Sequence, residues 1–262
     1  MTYRDDIDGL RALAVISVVL FHLGYIANGY LGVDVFFVIS GYLITGIIYR
    51  QSLNKKFSLL NFYERRIRRI IPLVLFTSLI AFLIGILFML PDDLENLSQA
   101  VFASNFSANN ILMYITSSDY WAVKNDFKPL MHTWSLGIEE QFYLLYPLLF
   151  FFLKGDKIKY IFPSIIFLTL LSLLAFTIQE SDSAKFYFIQ YRFFELSAGG
   201  MAAIYFSTKE LNYKNIKNRN LLFILVVLLF CSLFLPIKLS NDIKILLVTI
   251  LTSGILVLGG IF

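Results

Sequence analysis

Apolar residues come along this chain in long runs separated by short polar segments. The runs cover residues 10–25, 32–49, 70–90, 138–153, 160–178, 186–205, 221–236 and 243–262. A helix needs about 20 apolar residues to cross a bilayer, or somewhat fewer where flanking groups snorkel. The pattern therefore predicts an all-α fold, a polytopic transmembrane helical bundle of about eight spans. The first run is polar at both ends, which places it among its neighbours. Residues 94–115 break the pattern. Asn96, Ser98, Gln99, Ser104, Asn105, Ser107, Asn109 and Asn110 make that segment too polar for a lipid-facing span. Residues 91–137 are read as a long outer loop with an interfacial or re-entrant helix.

Positive charge gives the orientation, because loops rich in Lys and Arg stay in the cytoplasm. Between positions 50 and 69 lie Arg50, Lys55, Lys56, Arg65, Arg66, Arg68 and Arg69 against a single acid, Glu64. Two spans precede this stretch, so the amino terminus is expected in the cytoplasm and Asn28, Gly29 and Tyr30 outside. The basic segments 154–159 and 209–219 fall inside if residues 94–115 do not cross, and the acidic turn at 180–182 then falls outside.

Composition agrees with membrane solvation. Hydrophobic residues make up 58% of the chain, charged residues 15%, and 27 Phe accompany 15 Tyr. Mean hydropathy is +0.74. Soluble domains carry about 25% charged residues. The single cysteine, Cys231, excludes a disulfide framework or a thiolate metal site, and two histidines, His22 and His132, argue against a histidine-rich metal centre. No cleavable signal peptide is evident, since no small-residue cleavage site follows the first run. There is no internal repeat and no soluble domain. The last run reaches position 262 without a polar flank, which predicts a fragment of a longer protein.

Ionisable side chains inside spans cost about 2.5–3.5 kcal/mol each on insertion scales, so each is a functional candidate. Arg11 and His22 lie on nearly one face of the first helix, about three turns and roughly 16 Å apart. A cation near the cytoplasmic end and an imidazole deeper in suit an anionic donor entering from that side, with proton transfer near neutral pH. A snorkelling Arg and a packing His would give the same spacing. Asp34, at the depth of His22, could orient the imidazole, pair with a cation or simply start its helix. Arg65/Arg68 and Arg66/Arg69 form two i,i+3 forks suited to phosphate, or to anionic lipid. Glu139 and Glu140 are adjacent and point to different faces, one towards a site and the other towards water. Arg192 and Glu195 read as an i,i+3 structural ion pair beside the close-packing Gly199 and Gly200.

Taken together, these segments resemble the integral-membrane acyltransferase-3 family, which includes O-acetyltransferases of lipopolysaccharide O-antigen and of peptidoglycan. The resemblance rests on RDDIDGLRALAV at 4–15, GVDVFFVISGYLIT at 32–45, FYERRIRRIIP at 62–72 and KPLMHTWSLGIEEQFYL at 128–144. A looser motif, YRFFELSAG, occupies 191–199, and beyond about residue 205 the likeness is only in hydrophobicity.

The resemblance implies that residues 1–262 are an acyltransferase-3 transmembrane domain, an incomplete core of about ten helices. Carboxy-terminal helices and an SGNH hydrolase-like domain that would receive the acyl group are expected elsewhere. No Gly-Asp-Ser nucleophile motif is present. Acetyl-CoA or another acyl-CoA is the expected donor, a cell-surface or lipid-linked glycan the acceptor, and the bacterial inner membrane the location. Membrane lipid is an expected partner; nucleic acid and metal are not. The family's Arg-x10-His motif falls on Arg11 and His22, and its Arg-x-x-Arg motif on Arg66 and Arg69, with Arg65 and Arg68 the alternative frame. His22 is then the expected base or acyl carrier, with Asp34 or Glu139 orienting it. Two readings without catalysis stay open here: a transporter of an acyl carrier or lipid-linked sugar, and an inactive truncated fragment or scaffold.

Overall fold

A computed structural model describes residues 4–116, 128–209 and 219–259. Among them are eleven α-helices and no strand. They are α1 (Asp5–His22), α2 (Gly32–Leu53), α3 (Leu59–Phe88), α4 (Pro91–Asn105), α5 (Asn109–Thr116), α6 (Thr133–Phe152), α7 (Ile161–Ile178), α8 (Asp182–Tyr187), α9 (Ile189–Lys209), α10 (Arg219–Phe234) and α11 (Asn241–Gly259). Short 3₁₀ turns at Gly29–Leu31 and Gly155–Tyr160 lead into α2 and α7. The expected all-α bundle is observed. Four stretches are long and apolar enough to cross a membrane: Gly29–Leu53, Leu59–Phe88, Gly155–Ile178 and Asn241–Gly259. The other four runs form α1, α6, α9 and the shorter α10. Most of the basic stretch 209–219 and the end of the last run, 260–262, lie outside the described residues.

The helix boundaries differ from the hydrophobic pattern in two places. α3 begins well before its apolar run, so Arg65, Arg66, Arg68 and Arg69 sit on the first turns of the helix. Ser58 caps it, accepting a hydrogen bond from the Asn61 amide at 3.4 Å. Pro72 within α3 cannot donate to the Arg68 carbonyl one turn back, leaving that oxygen free of its helical partner. The run 186–205 is split as well: Phe188 is extended, so α8 ends at Tyr187 and α9 starts at Ile189.

The chain divides into two compact units. The first comprises residues 1–55, 155–170 and 194–262. Its centre is α2, apolar on all sides and buried accordingly, with Val35, Phe37, Val38 and Ile48 at 0% exposure. Backbones come close where side chains vanish. A β-carbon on Gly41 would overlap the Leu196 carbonyl of α9, and one on Gly199 would overlap the Val38 carbonyl of α2. This reciprocal small-residue contact is a common way for helices to associate when lipid removes the hydrophobic drive. Thr169 donates to Ser197 at 2.8 Å, fastening the middle of α7 to α9. At the amino end, Arg4 bonds Asp6 and Tyr42, donates to the Leu256 carbonyl at 2.9 Å, and lies over the Phe206 ring. Burial alone would lower the Arg4 pKa. Its bond to Asp6 and the Tyr42 oxygen more than offset that and hold it above the ordinary value, so it stays charged.

The second unit comprises residues 56–154 and 171–193. α3 turns Leu73, Phe76, Leu79, Leu83 and Leu87 outward, each more than half exposed, the surface expected of a helix solvated by lipid. The polar segment 94–115 becomes α4 and α5, of 15 and 8 residues, both short for a span. Asn96 and Gln99 are exposed, but the later polar groups point inward. Asn109 is fully buried and donates to the Leu130 carbonyl at 2.8 Å and to Thr133 at 2.7 Å. Asn105 donates to Ser78 at 3.1 Å, and Ser104 shares a bond with Thr133 at 2.7 Å. The segment is polar because it stitches helices together away from water, where each buried polar group needs a partner.

Candidate functional site

In the first unit, α1 has two faces. Ile7, Leu10, Ala14 and Ser17 recur at helical spacing and are buried. Val15 and Val19, on the opposite side, are about half exposed at 49% and 50%. Arg11 and His22 belong to that open side, so the spacing read from the sequence survives as an open stripe. Arg11 pairs with Asp8 one turn earlier at 3.0 Å, with side chains 37% and 43% exposed. His22 is the last residue of α1, exposed, with its ring edge-on to Phe21 at 5.2 Å. Asp34 stands in the first turn of α2 at 3% exposure.

Why α1 lies where it does can be traced to small residues. Gly32 sits against Ser17 and Ala14, a β-carbon there coming within 2.6 Å of the Ala14 carbonyl. Ser17 donates to that carbonyl at 2.9 Å and reaches the Gly29 carbonyl at 3.3 Å. Gly24, at φ +77°, makes the left-handed turn that ends the helix just beyond His22.

In the second unit the four arginines of α3 part company. Arg65, Arg68 and Arg69 are exposed and only Arg66 is half-buried. Arg68 pairs with Glu64 at 2.7 Å on the open surface. The Arg66 guanidinium lies over two rings, Phe62 at 5.6 Å and Tyr143 at 5.5 Å. Tyr143 in turn donates to Glu139 at 2.8 Å. Glu139, Arg69 and Arg65 all act electrostatically on Arg66. Arg66, Tyr143 and Glu139 thus form one group, and the Arg66/Arg69 frame is the one with a side chain held in place. A guanidinium fixed against two rings loses less entropy on binding an anion than a free one.

The fourth motif is largely scaffold. Gly137 gives Asn110 room, since a β-carbon there would come within 2.8 Å of the Asn110 amide oxygen. Gln141, one turn on, donates to that oxygen and to the Ser107 carbonyl, both at 2.9 Å. Asn110 completes the set by donating to the Tyr187 carbonyl at 2.9 Å. Glu140, like Glu139, is half-buried, and it is hydrogen-bonded by Ser107. Arg192, 3% exposed, lies over the Phe186 ring at 5.2 Å and donates to its carbonyl at 3.4 Å.

Sequence reasoning passed over Phe62 and Tyr143. The signal was there in spacing alone, because Phe62/Arg66 and Glu139/Tyr143 are both i,i+4 pairs.

An all-α bundle with helices of membrane-spanning length agrees with the comparisons. The chain belongs to the acyltransferase-3 family: the family's acyltransferase domain matches residues 4–262. It is 37% identical over 195 residues to O-acetyltransferase OatA of Staphylococcus aureus, covering 71% of this chain and 32% of that protein. It is 40% identical over 206 residues to peptidoglycan O-acetyltransferase OatA of Listeria monocytogenes, covering 75% of this chain and 33% of that protein. The matched part is thus about a third of these relatives' length. No solved structure matches.

Proposed function

We propose that this chain is the membrane portion of an O-acetyltransferase that moves an acetyl group from acetyl-CoA, supplied from the cytoplasm, to a hydroxyl of a cell-wall glycan. Peptidoglycan is the acceptor we favour over lipopolysaccharide, because the Listeria relative is named for it. The observation that carries the reading is the open face of α1, where Arg11 and His22 stand beside half-exposed valines rather than in the core. A packing histidine would be covered; an exposed one on an apolar stripe is placed to meet a reactant.

On α3, Arg66 and Arg69 hold the donor's phosphates, with Arg65 adding to the local positive field and Tyr143 and Glu139 fixing Arg66. On α1, Arg11 guides the thioester and His22 handles the proton. As general base, the imidazole takes the acceptor's hydroxyl proton as the new C–O bond forms. The C–S bond breaks, and the proton passes to the departing thiolate. As acyl carrier, the imidazole itself attacks first, the thiolate leaves, and the acceptor hydroxyl then displaces the acyl group from nitrogen. Asp34 orients the imidazole in either route. The acceptor hydroxyl belongs either to an extracytoplasmic partner domain or to the glycan itself.

The test is transfer of radiolabelled acetyl from acetyl-CoA to glycan in sealed vesicles, comparing the protein with His22→Ala. Loss of transfer in the variant, with donor binding retained, supports the assignment; wild-type transfer without His22 sinks it. Label on the protein before label on glycan selects the carrier route.

A further inference from the structure

The far end of α1 is tied down by contacts that nothing above uses. Asn28, in the turn after α1, is 3% exposed. Its amide nitrogen donates to the Leu235 carbonyl just past α10 at 2.7 Å, and its amide oxygen accepts from the Lys244 ammonium of α11 at 3.0 Å. Two residues on, Tyr30 donates to Asn241 at 3.0 Å. The Tyr30 ring meets Phe21 edge-on at 5.7 Å, and Phe21 meets the His22 ring at 5.2 Å. A continuous set of contacts therefore runs from the α10–α11 hairpin through the 28–31 turn to the imidazole.

We propose that Asn28 and Lys244 are positioning residues for His22, a clasp that sets the height and rotation of the carboxyl end of α1. The proposal rests on the reading of His22 as the acyl-transfer residue. The left-handed turn at Gly24 separates α1 from the 28–31 turn, and the clasp spans that pivot. The Lys244 bond is charge-assisted, and the Asn28 bond to Leu235 uses one of the carbonyls left over at a helix end, so both are stronger than ordinary surface contacts.

Two readouts test it, on the full chain. The first is transfer rate per donor-binding site, counted with labelled coenzyme A so that any unfolded fraction drops out. Asn28→Ala and Lys244→Met are expected to lower kcat about tenfold to hundredfold, as a misplacement near 1 Å does, with donor KM unchanged. The double variant falls no further than the worse single, because the two residues share one contact. Asn28→Asp, which keeps an oxygen for Lys244, recovers most of the rate.

The second readout needs no turnover. In a His132→Gln background, His22 is the only histidine, and its rate of modification by diethylpyrocarbonate reports its surroundings. That rate is expected to change several-fold in Asn28→Ala and Lys244→Met, and to return in Asn28→Asp. Unchanged modification rates in folded variants overturn the clasp, whether or not transfer is seen. Wild-type transfer by His22→Ala overturns instead the reading on which it rests.

Discussion

Placing a methyl group at Gly41 probes how closely α2 and α9 approach. Its β-carbon would overlap the Leu196 carbonyl oxygen, and that of Gly199 would overlap the Val38 carbonyl oxygen. Both obstructing atoms are backbone and cannot rotate aside, so the helices must separate. Overpacking a close contact costs about 1–3 kcal/mol, and a backbone obstruction belongs at the upper end. Gly→Ala in a helix returns about 0.8–1.0 kcal/mol through propensity. The net loss for Gly41→Ala or Gly199→Ala is then about 2 kcal/mol. At about 2–4 °C per kcal/mol for a chain of this size, the melting temperature falls by roughly 4–8 °C. The double variant falls by less than the sum, because helices already parted by one methyl have room for the second. Gly9→Ala is the internal control: nothing lies within 4 Å of its β-carbon, so the propensity gain stands alone. Its melting temperature rises by about 2–4 °C. The assay is thermal unfolding of the detergent-solubilised protein. Gly41→Ala melting together with Gly9→Ala would refute the close approach.

Further outcomes follow from the second unit. Tyr143→Phe keeps the ring over Arg66 but loses the bond to Glu139, worth about 1 kcal/mol at a half-buried carboxylate, so donor KM rises about fivefold. Tyr143→Leu also removes the ring and raises donor KM by about another threefold in the same steady-state assay. Arg66→Ala raises donor KM about tenfold or more, whereas Arg68→Ala changes stability by less than about 0.5 kcal/mol, since its pair with Glu64 is 78% and 55% exposed. Asn110→Leu strands Gln141 and the Tyr187 carbonyl and costs about 2–4 kcal/mol, read as a lower melting temperature or loss of monodisperse protein on size exclusion.

The sequence by itself determined the solvent and the class of fold. Runs of Leu, Ile and Phe near membrane length leave no other economical structure, because backbone groups in lipid must be satisfied within the helix. It also placed Arg11 and His22 on one face, since helical periodicity is local and does not depend on what packs nearby. Tertiary structure decided which faces are covered. The asparagines and serines of residues 94–115 mark a segment unfit for lipid, but only packing shows that Ser104, Asn105, Asn109 and Asn110 are bonded to α3, α6 and α8 and the segment before α6. Four nearly equivalent arginines could not be ranked from spacing. Arg66 is singled out because Tyr143 arrives from α6, nearly eighty positions along the chain, and a ring contact at that separation has no local signature. Glu139 and Glu140 were separable as two faces by adjacency, and Tyr143 is one helical turn from Glu139, yet the Ser107 partner of Glu140 came from the fold. The same holds for Asn28 and Lys244: an amide in a turn and a lysine opening a helix are ordinary in sequence, and they become a pair only when α11 is laid beside α1.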